Sequence, residues 1–143
     1  MRQEVYEKIR DKLLEIGENE IAHIDMWNRN VEFIEQETAW ERPAVFIEFE
    51  PVQWISIVPG IQYRAEAKVR LHIVTDWTNK DKNVFELPGK IHTVLACLEG
   101  DSFTDFTLAE SLTNHNHEEI IESIEVYKFM AFLNIENKKL TKR

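Results

Sequence analysis

Gln62-Tyr-Arg-Ala-Glu-Ala-Lys-Val-Arg-Leu-His-Ile-Val-Thr-Asp76 decides the architecture of this chain. Its odd positions, Tyr63, Ala65, Ala67, Val69, Leu71 and Ile73, are apolar, while Arg64, Glu66, Lys68, Arg70 and His72 between them are polar. A period of two sends successive side chains to opposite faces, so the stretch predicts one long strand with a buried face and a charged face. At about 3.3 Å per residue it would run roughly 45 Å, longer than a usual strand. The remaining residues must provide partner strands and a cover for the apolar side.

Upstream, Pro59-Gly60 is a turn signal joining the long strand to Val52–Val58, which carries Trp54, Ile55 and Ile57. Before that, Pro43 opens Ala-Val-Phe-Ile-Glu-Phe-Glu50, with Val45, Ile47 and Phe49 on one face and Phe46, Glu48 and Glu50 on the other. A proline at the first residue of a strand is tolerated because no ladder donor is needed there. Asn28 to Arg42 is a polar connection with Glu32, Glu35, Glu37 and Glu41, punctuated by Val31, Phe33, Ile34 and Trp40. A connection of this length often works in binding. Ile21–Trp27 reads as a short, irregular edge strand. Residues 2–16 predict an amphipathic helix, since Val5, Ile9, Leu13 and Ile16 recur at near-fourfold spacing and Gly17 is a natural stop.

Downstream, the polar stretch Asp76 to Asn83 precedes a second helix marked by Val84, Leu87, Ile91, Val94, Leu95 and Leu98. Pro88 fits only a first turn, so the regular helix is expected to start near Leu87 and to end at Gly100. Phe103–Thr113 alternates loosely, and Asn114-His-Asn-His-Glu-Glu119 is a turn. Ile120 to Ile135 is a second long strand, with Tyr127, Phe129, Ala131, Leu133 and Ile135 on one side and Ile124, Val126, Met130 and Phe132 on the other. A strand apolar on both sides is central in its sheet or is covered from outside the chain. The expected fold is α+β: a twisted antiparallel β-sheet with two helices packed on one face, in the order helix, strands, helix, strands. Residues 1–136 are expected to form one domain and 137–143 a basic, flexible tail.

Of the 143 residues, 43% are hydrophobic, enough for one domain with a real core. No apolar run reaches the roughly 18 residues of a membrane span, and the charged start Met-Arg-Gln-Glu lacks the apolar stretch of a signal peptide. The single Cys97 excludes paired-cysteine zinc patterns and an intrachain disulfide. These features predict a cytosolic protein. A net charge of -9 argues against a sequence-independent DNA binder, which needs a basic surface to release counterions. The tail Asn137-Lys-Lys-Leu-Thr-Lys-Arg143 is the basic exception; it reads as a frayed terminus or as a contact for an acidic partner or nucleic acid.

Glu66-Ala67-Lys68 is the sharpest enzymatic candidate. Two residues apart on a strand, both side chains point one way, the geometry of the Glu-x-Lys pair of metal-dependent nucleases, in which the acid and an upstream carboxylate, here Glu48 or Glu50, hold magnesium and the lysine steadies the attacking water. An alternating charged face produces such a pair without chemistry, and cross-strand charge pairing accounts for it. His115 and His117 with Glu118 and Glu119 carry metal-ligand chemistry, but Asn114 and Asn116 favour a hairpin turn. No serine, cysteine or threonine lies in a nucleophile motif, and no glycine-rich phosphate loop is present. No cofactor is expected.

Pro43-Ala-Val-Phe-Ile-Glu-Phe49, Gly60 through Val74, the helix ending at Leu98-Glu-Gly100 and the strand Tyr127-Lys-Phe-Met-Ala-Phe132 resemble the tail-completion or tail-terminator proteins of long-tailed bacteriophages and prophages. The resemblance is one of order and pattern from Met1 to about Asn137. It implies a non-enzymatic α+β subunit that joins copies of itself into a ring, often a hexamer, capping the tail tube and meeting the head connector. It further implies a place in the bacterial host cytoplasm during assembly and then in the virion. Within that expectation, Arg64, Glu66, Lys68, Arg70 and His72 form a subunit interface or lumen face. Trp40, Trp54, Lys138, Lys139, Lys142 and Arg143 contact partners, no membrane is involved, and nucleic acid is met only as it passes the lumen. A magnesium-dependent nuclease using Glu66 and Lys68, and a non-enzymatic binding module, are the competing readings.

Overall fold

A computed structural model describes residues 1–27, 41–76, 82–114 and 120–135. Among them the chain forms two α-helices and one six-stranded sheet, a mixed content compatible with α+β. Helix α1 spans Arg2–Ile16 and buries Val5, Ile9 and Leu13, the fourfold stripe of the sequence. Gly17 follows at φ 109, a conformation that glycine takes without the steric cost of a Cβ. The strands are β1 (His23–Met26), β2 (Ala44–Phe49), β3 (Ile55–Val58), β4 (Gln62–Asp76), β5 (Phe103–Asn114) and β6 (Ile120–Asn134). Between β4 and β5, a 3-10 turn at Lys82–Phe85 leads into helix α2, Glu86–Leu95. Pro88 is the third residue of α2, inside the first turn, where its missing N–H forfeits no helical bond.

The strand order is β1-β2-β4-β6-β5, with β3 pairing β4 off this path. Strands β4 and β6 pair antiparallel over their whole length, from Gln62 opposite Asn134 to Asp76 opposite Ile120. Strand β6 lies between β4 and β5; Tyr127, Phe129 and Ala131 on one of its faces are buried, while Phe132 on the other is exposed. One pairing departs from the expected antiparallel sheet: β1 and β2 run parallel, with His23 opposite Ala44 and Met26 opposite Ile47. No hairpin joins them, and the chain between Met26 and Ala44 exceeds the roughly dozen residues that a parallel crossover needs. The sheet is therefore mixed.

The alternation of β4 is reflected in burial. Ala65, Ala67, Val69, Leu71 and Ile73 are buried, while Arg64, Glu66 and Lys68 are exposed. Val69, Leu71 and Ile73 join Val5, Ile9 and Leu13 of α1, Leu87, Ile91 and Leu95 of α2, and Tyr127 and Phe129 of β6 in the main core cluster. Each fully buried aliphatic side chain contributes roughly 1.5–3 kcal/mol relative to its exposed state. A second, smaller cluster contains Ala44, Phe46, Val74 and Ile120, with Trp27 packed against it. From Leu71 to Thr75, β4 is consequently buried on both faces.

Candidate functional site

The charged row of β4 falls into an open part and a closed part. In the open part, Arg64 stands opposite Phe132, Glu66 opposite Met130 and Lys68 opposite Lys128. Lys68 and Lys128 are both exposed, and like charges set directly opposite each other repel. Arg70 begins the closed part: its Nε donates to Glu50 Oε2 at 3.2 Å, an ion pair from the middle of β4 to the residue that follows β2.

His72 is buried, with Phe46 opposite it on β2 and Ile124 opposite it on β6. Its Nδ1 lies 2.6 Å from Glu122 Oε2 and its Nε2 2.8 Å from Glu48 Oε1. The Trp27 ring stacks on the imidazole with centroids 3.8 Å apart and planes 5° from parallel. Asn114 Nδ2 donates to the other oxygen of Glu122 at 2.9 Å. An ionised carboxylate only accepts, so the ring satisfies both contacts when both nitrogens donate, or when one carboxyl carries the proton. Charge-assisted bonds of this kind are shorter and stronger than neutral ones. The cluster thus ties β2, β4, β5 and β6 together at one end of the sheet.

Sequence reading missed this cluster. Parity placed His72 in the exposed row, and only the strand register shows Glu48 and Glu122 flanking it. The available signal was Glu122 and Glu125, two acids in the first half of a largely apolar strand; both are buried. Beside the cluster, a depression of about 530 Å³ is lined by Arg2, Gln3, Tyr6, Met26, Trp27, Glu48 and Phe49. Burial, and then the charge of Asp25, hold the Tyr6 phenol above its ordinary value, so it remains a hydroxyl donor at neutral pH.

The acids proposed for magnesium do not converge. Glu48 is bonded to His72, Glu50 to Arg70, and Glu66 projects from an exposed position opposite Met130. Among the described residues no group of three or more His, Cys, Asp or Glu side chains is placed to hold a metal ion. Trp54 is half-buried and packs against the main core. Trp40, Lys138, Lys139, Lys142, Arg143, His115 and His117, with most of the connection from Asn28, lie outside the described residues.

The remaining notable surface is apolar. All four residues of β3 are exposed, Ile55 at 57% and Ile57 at 51%. Ile55 pairs with Arg64, which pairs in turn with the exposed Phe132 on β6. Ile135, just beyond β6, is exposed as well, and its N–H donates to Ile61 O at 2.7 Å. Across the sheet, Leu108 and Leu112 are exposed on β5. Compared with known proteins, the chain matches no family model, and no curated protein matches it at a significant level.

Proposed function

We propose that this chain is a structural assembly subunit of a tailed bacteriophage or prophage. It joins copies of itself into a ring, completes or caps the tail tube, and links the tube to the head connector. The observation that carries the reading is the apolar surface left on strand positions: Ile55, Ile57, Val58, Phe132 and Ile135 at one end of the sheet, Leu108 and Leu112 on β5. Exposed apolar groups collected on strands favour a neighbour that removes them from water.

In this reading both helices cover one face of the sheet, supported by the core cluster that α1 and α2 share with the odd positions of β4. The opposite face, with Arg64, Glu66, Lys68 and Arg70, is turned to a neighbouring subunit or to a lumen that nucleic acid traverses. Trp54, Trp40 and the basic residues Lys138, Lys139, Lys142 and Arg143 meet the tube and connector. The role requires no bond to be made or broken and no cofactor. The protein acts in the host cytoplasm during assembly and then in the virion; among the described residues no helix is long and apolar enough to cross a membrane.

Negative-stain electron microscopy of the purified chain, alone and co-expressed with the tail-tube protein of a neighbouring gene, tests the reading. Closed rings of one size, free or seated at tube ends, are expected. Monomers in both preparations would overturn it.

A further inference from the structure

The two exposed apolar strand regions lie on opposite sides of the same sheet. Among the described residues β3 pairs with β4 alone and β5 with β6 alone, so each has an outward edge of unpaired backbone groups. An edge strand recruits another strand unless charge, proline or a bulge blunts it. Strand β3, Ile-Ser-Ile-Val, has no charge along its length; its register shifts between Ser56 and Val58, so its regular part is Ile55 and Ser56. The first half of β5 is blunted by register shifts between Thr104 and Thr107 and between Leu108 and Glu110; its second half, Glu110 to Asn114, pairs regularly with β6.

The charges beside the two edges are of opposite sign, although the cation, Arg64, stands on β4, one strand in from the β3 edge. From Pro51 to Ala65 the only charged residue is Arg64, whereas β5 carries the exposed acids Asp105 and Glu110 and no lysine or arginine. The faces agree as well. Ile55 stands beside Arg64, and Leu112 stands beside Ile124, which stands beside His72. Arg64 and His72 are both even positions of β4, so Ile55 and Leu112 occupy the same face of the sheet.

Resting on the ring reading above, we infer that the outward edge of β3 docks on the Glu110–Asn114 edge of β5 in a second copy of this chain. The contact continues the sheet from subunit to subunit and sets Ile55 against Leu112. Because the two patches differ, the contact is head-to-tail, the type that closes into rings. The edges sit at opposite ends of β4, and strands that close into a cylinder require such a stagger.

The test uses the full chain carrying Cys97→Ser, which removes the exposed native thiol. Ile55→Cys and Leu112→Cys are introduced singly and together, treated with a short bismaleimide and resolved on a denaturing gel, with light scattering of the untreated protein reporting its assembly. Both positions are exposed, so folding is expected to be retained, with circular dichroism as the check. The inference predicts a covalent ladder from the double variant, a single covalent dimer from an equal mixture of the two single variants, and no bridging in either single variant alone. Bridging within Ile55→Cys alone, or within Leu112→Cys alone, would show a symmetric contact and overturn it. Assemblies seen by light scattering without any Ile55–Leu112 bridge would overturn the edge assignment while leaving the ring standing. Monomers without a bridge, both for the free chain and after co-expression with the tail-tube protein, would count against both.

Discussion

His72 shows how one side chain holds several strands at once. Its ring nitrogens reach Glu122 and Glu48, and its face is covered by Trp27. Replacing it with leucine keeps a side chain of similar bulk but removes both contacts, leaving Glu122 buried with one donor fewer. Leaving a buried polar group without one of its partners costs about 1–3 kcal/mol, more for a charged one; Glu122 retains Asn114 and Glu48 is partly exposed. His72→Leu is therefore expected to lower stability by about 3 kcal/mol, read as a reduced urea midpoint with an unchanged slope. A variant as stable as the parent would show that these bonds hold nothing together. The residue also marks a limit of sequence reading. Alternation assigns His72 a face but cannot say that Phe46, Trp27 and Ile120 close over that face at one end of β4 and leave it open at the other.

At the scale of elements, the bonds from Glu4 link α1 to the approach to β5. Glu4 Oε1 accepts from the Ser102 hydroxyl at 2.6 Å and from the Ser102 N–H at 2.8 Å, and Oε2 accepts from the Asp101 N–H at 3.0 Å. Gly100 makes room for this approach: a Cβ there would lie 2.6 Å from the carboxylate and 2.8 Å from the Phe103 ring. The Ser102 hydroxyl bond, and then the two backbone N–H groups, hold the Glu4 carboxyl below its ordinary value against the opposing effect of burial. A depressed carboxyl gives stability that is present above its unfolded value, 4.5, and is lost as pH falls through the lower folded value. Solvent screening keeps the contribution to about 1 kcal/mol or less. Glu4→Gln is expected to be less stable than the parent by that amount near neutral pH, with the gap closing in acid. Melting curves across pH would contradict this if the gap were the same at both ends.

The elements themselves were well marked in the sequence where the pattern was strong. Strand β4 ends where its alternation ends, and Pro88 falls in the first turn of its helix because proline fits there. The parallel pairing of β1 and β2 was hidden, since a four-residue strand carries no sign of its direction. Ile55 and Ile57 were visible in the sequence as apolar residues of Val52–Val58, but their exposure depends on which strands stand beside them.

For the whole molecule, the net charge of -9 makes the local exceptions informative. Arg64, Lys68 and Lys128 stand on neighbouring strands of a sheet whose β5 edge is acidic. A repeating subunit can use such asymmetry, because each copy then offers a different patch to each neighbour. The proposed role in joining heads to tails is tested most directly by deleting this gene from the genome that carries it and counting phage particles by electron microscopy. The account predicts filled heads and separate tails that fail to join, with joining restored when the gene is supplied in trans. Complete, infectious particles at normal numbers without the gene would contradict it.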